Sequence, residues 1–407
     1  MPAPFRTNDS ARLLINLYLP SAFVSMSQGL VIPTILTLGT SFRVPAALAA
    51  QVVTALLLGR ALMTIPSGII VDRLGRKPAM IVGPVLLIGG CLLSGLTPSF
   101  GPLLAGQFLC GAGVALWQLG REVAAVDLIK PEVRGRMLSL FFGLQSAGQA
   151  LGPLIGGIIT DYWGFRGVFW GGLFIGVIVL GMTARLPETR QQHRVARPRL
   201  LDFGRLSDLP AEFRMTYVVL IFATFAAGMR NSVVSAILPL HAEGTFGLST
   251  TEVGALFAVM GAVTLAAMGP AGWVSDKIGR KAATIPAAVL AGIAFLLYPY
   301  AGTLPALFAV SAIVGIASGF ALGAMTVYTY DIAPANARGR LQALRRTMNE
   351  LGGVAGPAIA GGIVSVAGTG PSFLALAPVH LASAVLLALG ARETAGKYRG
   401  RVVPEGA

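Results

Sequence analysis

The sequence predicts an all-α membrane protein with twelve transmembrane helices in two six-helix bundles, and three observations lead to this fold class. First, the 407 residues are 55% apolar and only 12% charged, whereas soluble proteins carry roughly a quarter charged residues. Second, apolar stretches long enough to cross a bilayer recur along the whole chain. Third, a pattern of charged residues and glycines occurs in both halves. This composition excludes a water-soluble, a collagen-like and a disordered chain.

The apolar stretches define the predicted spans, because a membrane-spanning helix needs about 20 mainly apolar residues. Twelve stretches qualify: 13–39, 47–71, 79–100, 102–126, 137–160, 167–186, 215–240, 251–275, 282–301, 304–330, 341–367 and 371–391. A long polar connection separates the first six from the last six. We therefore expect an N-terminal bundle over 1–186, a linker over 187–214 and a C-terminal bundle over 215–407. The linker is expected to lie on the membrane surface as an amphipathic helix or to form a solvated tether.

The net charge of +14 is concentrated in alternate connections between the spans. If both termini are cytoplasmic, 26 of the 31 Lys and Arg residues lie in cytoplasmic segments, and only Arg43 and Arg166 lie outside. This asymmetry follows the positive-inside rule. The basic excess therefore indicates topology, and nucleic acid is not an expected partner. We expect the chain in the cell membrane, which in a bacterium is the inner membrane.

The two halves repeat each other at a constant offset of 204 residues. GIIVDRLGRK begins at Gly68, and GWVSDKIGRK begins at Gly272. The same offset relates three further pairs: Asp127 and Asp331, Gly152 and Gly356, and Pro153 and Pro357. Both halves begin and end on the same side of the membrane, as parallel repeats do in transporters whose halves rock around a central site.

The loop pattern G-x-x-x-D-R-x-G-R-K after the second span resembles the signature of the major facilitator superfamily, and a close variant follows the eighth span. The resemblance covers essentially the whole chain, and it implies the two-bundle fold and transport by alternating access. In this family the loop and an acid in the fourth span act as a latch between conformations. The resemblance extends this role to Asp72, Arg73, Arg76, Asp127, Asp276, Arg280 and Asp331. The alternative is that these charges serve membrane insertion alone.

The fifth span carries small residues at helical spacing. Gly148, Gly152 and Gly156 recur every four residues and predict a flat face for close helix packing. Pro153 lacks a backbone donor and favours a kink. The pattern GxxxGPxxGG resembles the signature of the twelve-span drug–proton antiporters of the superfamily. Ordinary small-residue packing explains it equally well, since the eleventh span has a similar pattern at Gly356 and Pro357.

Charged side chains within the spans are candidates for binding and coupling, because each costs at least about 2.5–3.5 kcal/mol to insert. Five of them are Arg60, Arg121, Glu122, Arg230 and Glu350. We expect Arg60 and Arg230, one from each half, to face a central cavity. Glu350 or Glu122 is expected to carry a coupled proton. For Arg121, one turn after Trp117, and for Glu122, a structural role is an equal alternative.

Two further features bear on the substrate. The fourth span has Gln107 where the antiporters of the superfamily carry an arginine, four residues before a glycine, and the first span contains no acid. Two deep arginines among few acids favour an anionic or zwitterionic group on the substrate. The polar residues Gln28, Asn231 and Asn349 are candidates to line a largely apolar cavity.

The sequence therefore predicts a secondary active transporter. The first hypothesis is proton-coupled efflux of small amphipathic compounds, drug-like or lipid-like; the second is proton-coupled uptake or exchange of organic anions. An enzyme is not expected, because the sequence has no nucleophile elbow and no Walker A motif. The three histidines, His193, His241 and His380, lack metal-ligand spacing, so no metal or cofactor is expected. The expected partners are the bilayer, a small-molecule substrate and protons, and the chain is expected to be a monomer.

Overall fold

The computed structural model describes residues 7–128, 134–186, 209–334 and 337–394, and these ranges are almost entirely helical. A 3₁₀ turn at Tyr298–Tyr300 follows the tenth of fourteen α-helices in the described residues. The helices are α1 Thr7–Leu30, α2 Ile35–Phe42, α3 Ala46–Ala49, α4 Gln51–Leu74, α5 Arg76–Leu96, α6 Phe100–Leu128, α7 Arg134–Ala184, α8 Ala211–Phe246, α9 Thr250–Lys277, α10 Arg280–Leu297, α11 Leu304–Ala321, α12 Ala324–Ile332, α13 Arg338–Ala367 and α14 Thr369–Gly390.

The helices group into two compact units. Unit 1 comprises Met1–Ala196 and Leu248–Ala258, and unit 2 comprises Arg197–Gly247 and Val259–Ala407. Unit 1 thus holds α1 to α7 with the first turns of α9, and unit 2 holds α8, the rest of α9 and α10 to α14. Most of the predicted linker lies outside the described residues.

Ten helical segments of the described ranges are long and apolar enough to cross a membrane. The number is eleven if Asn16–Leu30 and Ile35–Phe42 form one span, which bends by 46° between them. The sequence predicted a continuous span over 13–39 at this place. Pro33 lies in the break, where it lacks a backbone donor and disfavours helical geometry in the residue before it. The prediction of twelve spans stays a prediction.

Two glycines interrupt other predicted elements. Helix α7 covers the predicted spans 137–160 and 167–186, and its backbone leaves helical geometry at Gly164, where φ is 70° and ψ is 175°. The predicted span 304–330 is divided into α11 and α12 at Leu322 and Gly323, and Gly323 has a φ of 90°. A side chain disfavours such positive φ angles, so glycine is the residue that permits both breaks.

Buried tyrosines tie the core of unit 2 together. Tyr217 on α8 and Tyr328 on α12 lie in one apolar cluster with residues of α13 and α14. The Tyr217 hydroxyl donates to the Leu341 carbonyl at 2.7 Å, and the Tyr328 hydroxyl donates to the Arg392 carbonyl. Each ring therefore fills apolar space while its polar end is satisfied, as buried tyrosines require.

Candidate functional site

The glycine face of α7 lies against α1 within unit 1. A Cβ atom added at Gly148 would lie 2.2 Å from the Ala22 carbonyl oxygen, and one added at Gly156 would lie 2.2 Å from the Leu30 carbonyl oxygen. Gly152, between them, is equally confined. The two helices therefore touch backbone to backbone at three glycines over about two turns. This contact requires the small residues, whether or not they also serve antiport.

The corresponding residues of α13 pack in a similar way in unit 2. A Cβ at Gly356 would lie 2.8 Å from Ser232 Oγ, and one at Gly352 would lie 2.0 Å from the Phe225 carbonyl oxygen on α8. The two prolines of the repeated pattern, Pro153 and Pro357, lie inside α7 and α13. The repeated pattern therefore coincides with a tight helix crossing in each unit.

Arg121 on α6 is buried and has several partners in unit 1. Its Nη1 donates to Ser21 Oγ at 2.7 Å, and its guanidinium carbon lies 5.1 Å from the centre of the Trp117 ring. Its Nη2 lies 3.9 Å from Glu122 Oε1, whose side chain is 40% exposed. The stacking on Trp117 predicted as the alternative is thus present, and it favours a structural role for Arg121.

Arg60 on α4 is half-buried in the same unit and binds the first helix. Its Nη1 donates to Gln28 Oε1 at 3.1 Å. Gln28 also lines a cavity of about 10 Å³ together with Gln107, which is room for about one water molecule. Gln107 is buried and donates to Ser94 Oγ at 3.0 Å, but its Oε1 accepts no hydrogen bond from the described residues. Gln28 therefore connects the Arg60 guanidinium to the edge of this small cavity.

Arg230 on α8 lies in a different environment in unit 2. The side chain is buried, with an exposed fraction of 3% for the residue. Its Nε and Nη2 donate to Asn231 Oδ1 at 3.1 and 3.0 Å. Within the described residues no carboxylate lies within 4.0 Å of this guanidinium. Arg230 is thus a buried cation whose hydrogen-bond partner is a neutral amide.

Helix α13 crosses α8 close to Arg230. A Cβ at Gly228 would lie 2.1 Å from the Asn349 carbonyl oxygen, and the Asn349 amide donates to the Thr224 carbonyl at 3.2 Å. Glu350 follows Asn349 and is buried at 6% exposure. The predicted site residues Arg230, Asn349 and Glu350 therefore all lie within two residues of this crossing.

The repeated loop forms a charge cluster in unit 2. Arg280 Nη1 donates to Asp276 Oδ1 at 2.7 Å, and Arg280 Nε donates to Asp331 Oδ2 at 2.8 Å. In unit 1 the structure shows Arg73 exposed and Arg76 half-buried. The side chains of Asp72 and Asp127 lie outside the described residues. The three predicted latch residues of unit 2, Asp276, Arg280 and Asp331, are thus in direct contact.

Sequence reasoning missed His380 on α14. The residue is 2% exposed, and its ring lies 4.6 Å from that of Phe295. Its Nε2 has no hydrogen-bond partner among the described residues. The spacing of the three histidines suits no metal and gives no other sign of a role. The signal that identifies His380 is instead its position within an apolar span, where an ionisable group is a functional candidate by default.

Apolar helices in two units, buried arginines within them and small-residue crossings define a class of protein, the multi-span membrane transporters. The sequence pattern of the Major Facilitator Superfamily matches residues 17–214 and 220–403. The chain belongs to this superfamily of transporters, which confirms the resemblance carried by the loop motif. The assignment supports a transporter and not an enzyme.

Three similar proteins illustrate the range within the superfamily. Multidrug resistance protein MdtH of Citrobacter koseri is 28% identical over 291 residues, which are 71% of this chain and 70% of that protein. Citrate exporter 1 of Aspergillus niger is 27% identical over 190 residues, 46% of this chain and 36% of that protein. The crystal structure of a D-xylose-proton symporter has a TM-score of 0.77 at 18% identity, covering 95% of this chain and 99% of that one. This last similarity shows the fold.

Proposed function

We propose that the chain exports small amphipathic compounds that carry an anionic group, by alternating access and in exchange for protons. The observation that carries this proposal is Arg230, a buried arginine that has no carboxylate within 4.0 Å in the described residues. A desolvated charge without a counter-charge is strongly unfavourable. A bound anion would remove this cost, and the apolar helix surfaces around it suit an apolar tail.

Two relatives support export as the direction. One is named a multidrug resistance protein and the other a citrate exporter. The first name favours amphipathic drug-like compounds, and the second favours an anion. A substrate with an apolar body and an acidic head fits both. The apolar helices support a cell-membrane location, which in a bacterium is the inner membrane.

Transport into inverted membrane vesicles tests direction and charge preference together. Vesicles with an acidic interior should accumulate an anionic amphiphile, and they should accumulate a neutral analogue with the same tail much less. Dissipating the pH gradient with a protonophore should abolish accumulation. Accumulation that ignores the gradient would rule out proton exchange, and preference for a cationic analogue would rule out the anionic class.

Glu350 is the better candidate for the proton carrier. It is buried and follows Asn349, whose backbone packs against Gly228 near Arg230, whereas the Glu122 side chain is 40% exposed and lies beside Arg121. The variant Glu350→Gln should lose gradient-driven transport but keep substrate-driven exchange, and Glu122→Gln should keep both. The opposite pattern would assign the proton to Glu122.

The charge cluster at Arg280 supports a latch in the transport cycle. Arg280 joins Asp276 on α9 to Asp331 on α12, so its bonds must change if these helices separate. Arg280→Gln should slow transport without lowering the amount of protein inserted in the membrane. A loss of inserted protein in proportion to the loss of transport would favour the insertion role instead.

The second candidate is proton-coupled uptake or exchange of organic anions. It is favoured by the same observation, since a buried Arg230 would bind an incoming anion as well as an outgoing one. The two candidates differ in direction. Accumulation in right-side-out vesicles with an acidic exterior would support uptake, and its absence there would leave export.

A further inference from the structure

Helices α8 and α14 lie side by side and run in opposite directions within unit 2. Thr369, at the start of α14, contacts α8 near its end, where its hydroxyl lies 2.9 Å from His241 Nδ1. Beyond the other end of α14, the Arg392 amide donates at 3.0 Å to Thr216 Oγ1, near the start of α8. These two contacts fix the register between the helices.

The register places Arg230 and His380 at the same level. Arg230 precedes His241 by eleven residues, and His380 follows Thr369 by eleven residues. At about 1.5 Å per residue, both lie about 16 Å from the contact between His241 and Thr369. The Arg230 guanidinium is also near enough to the His380 imidazole for the two groups to interact electrostatically.

Each of the two side chains has a nitrogen that no described hydrogen bond uses. Arg230 binds a neutral amide through Nε and Nη2, and no described hydrogen bond uses its Nη1. His380 is buried and its Nε2 has no partner in the described part of the chain. An unpaired donor costs about 1–3 kcal/mol when it is buried. Within unit 2, Nη1 of the Arg230 guanidinium and Nε2 of the His380 imidazole thus lie at the same level with no described hydrogen bond to the protein.

We propose that His380 and Arg230 together bind the acidic group of the substrate, with His380 Nε2–H donating to one oxygen and Arg230 to another. The assignment rests on the proposed function, because it names a second ligand for the anion at Arg230. It defines the substrate class as compounds with at least two acceptor oxygens on one group, such as carboxylates and sulfonates. A lone halide would gain less from two separated donors.

His241, which is also buried in unit 2, provides a matched control for His380. His241 bonds Thr369 through Nδ1 and lies 3.2 Å from the Tyr298 carbonyl oxygen through Nε2. Both of its nitrogens are thus used by the protein. Replacing His241 removes structural hydrogen bonds, whereas replacing His380 removes a donor that the protein itself does not use.

The test measures binding of a dansyl-labelled fatty acid and of its methyl ester to the purified full-length chain by fluorescence. His380→Phe keeps a ring against Phe295 and should weaken binding of the acid about tenfold, as expected for a lost hydrogen bond to a charged group. The same variant should leave binding of the ester unchanged. His380→Gln, which keeps a donor near the Nε2 position, should bind the acid within about threefold of the original chain.

The controls separate this inference from the proposed function. His241→Phe should lower thermal stability without changing the ratio of acid to ester affinity. If Arg230→Gln removes the preference for the acid while His380→Phe does not, the inference about His380 is wrong and the proposed function stands. If Arg230→Gln leaves the preference intact, the proposed function itself is wrong. Equal weakening of acid and ester by His380→Phe would also overturn the role of His380.

Discussion

Arg121 in unit 1 and Arg230 in unit 2 are equally buried, at 2% and 3% exposure, but their surroundings differ. Arg121 has a hydroxyl from another helix, an indole face and a neighbouring carboxylate. Arg230 has the side-chain oxygen of the next residue. The two arginines therefore differ in the origin of their partners, because Arg121 has a partner on another helix and a carboxylate beside it, whereas Arg230 bonds only the amide of the next residue in the described part of the chain.

The difference shows that burial alone does not distinguish a functional charge from a structural one. A buried charge with partners from several helices stabilises the arrangement of those helices. A buried charge with one neutral local partner carries an unfavourable free energy that a ligand can relieve. The number and origin of the partners therefore separate the two roles.

The largest expected effect follows the loss of Arg230, which has no carboxylate within 4.0 Å in the described residues. Arg230→Gln should lower affinity for an anionic amphiphile about 100-fold, because it removes charge-assisted hydrogen bonds worth about 1.5–3 kcal/mol each. Thermal stability without substrate should stay unchanged or rise, since a desolvated charge disappears. Equilibrium binding and thermal unfolding of the same purified protein measure both quantities. A marked loss of stability would make Arg230 structural, like Arg121.

The reverse result is expected for Arg121, which has a partner on another helix. Arg121→Gln should lower the free energy of unfolding by about 2 kcal/mol, because it removes a hydrogen bond to a charged group and a cation–π contact. Substrate affinity should change little once the variant is compared below its unfolding transition. Reversible unfolding in mild detergent gives the free energy. Selective loss of anion binding, with stability retained, would contradict the structural assignment.

A smaller effect is expected from the partner of Arg121 on α1. Ser21→Ala should destabilise the chain by about 1 kcal/mol, the net value of one hydrogen bond to a buried group. Combined with Arg121→Gln it should add almost nothing, since both changes remove the same bond. The double-mutant cycle measures this coupling. Full additivity would show that the Ser21–Arg121 bond contributes nothing to stability.

The smallest effect is expected from the partner of Arg230. Asn231→Ala should change the affinity for the anion by no more than about threefold, because a substrate that binds Arg230 replaces the amide as acceptor. Binding of the acid and ester pair measures the change. A loss as large as that of Arg230→Gln would mean that Asn231, and not the guanidinium, contacts the substrate.

The sequence predicts the helices and their repeat well because apolar length and charge asymmetry are local properties. The flat face at Gly148, Gly152 and Gly156 is also visible in the spacing. The partners of each charge are not predictable in this way, because they come from distant segments. Ser21 and Arg121 are 100 residues apart, and no periodicity within either helix indicates which face meets the other.

The sequence does not indicate the helix breaks at Pro33 and Gly323 or the position of His380, and the physical reasons differ. Pro33 signals a break, but an apolar run of sufficient length through it also suits a kinked span. Gly323 lies among other glycines, and its positive φ depends on how α11 and α12 pack. His380 was overlooked because its neighbour Arg230 is 150 residues away in sequence, and only the antiparallel register of α8 and α14 places them at one level.

The carboxylate of Glu393 has a practical consequence for handling the protein. It accepts hydrogen bonds from the backbone amides of Arg280 at 2.7 Å and Lys281 at 3.0 Å, at the start of α10. Negative charge at a helix N-terminus stabilises the helix. A truncation after Gly390 would delete this cap from a different helix, beside the Arg280 cluster. Affinity tags and fluorescent reporters are therefore best joined beyond Thr394, so that the chain keeps the residue that holds α10 in place.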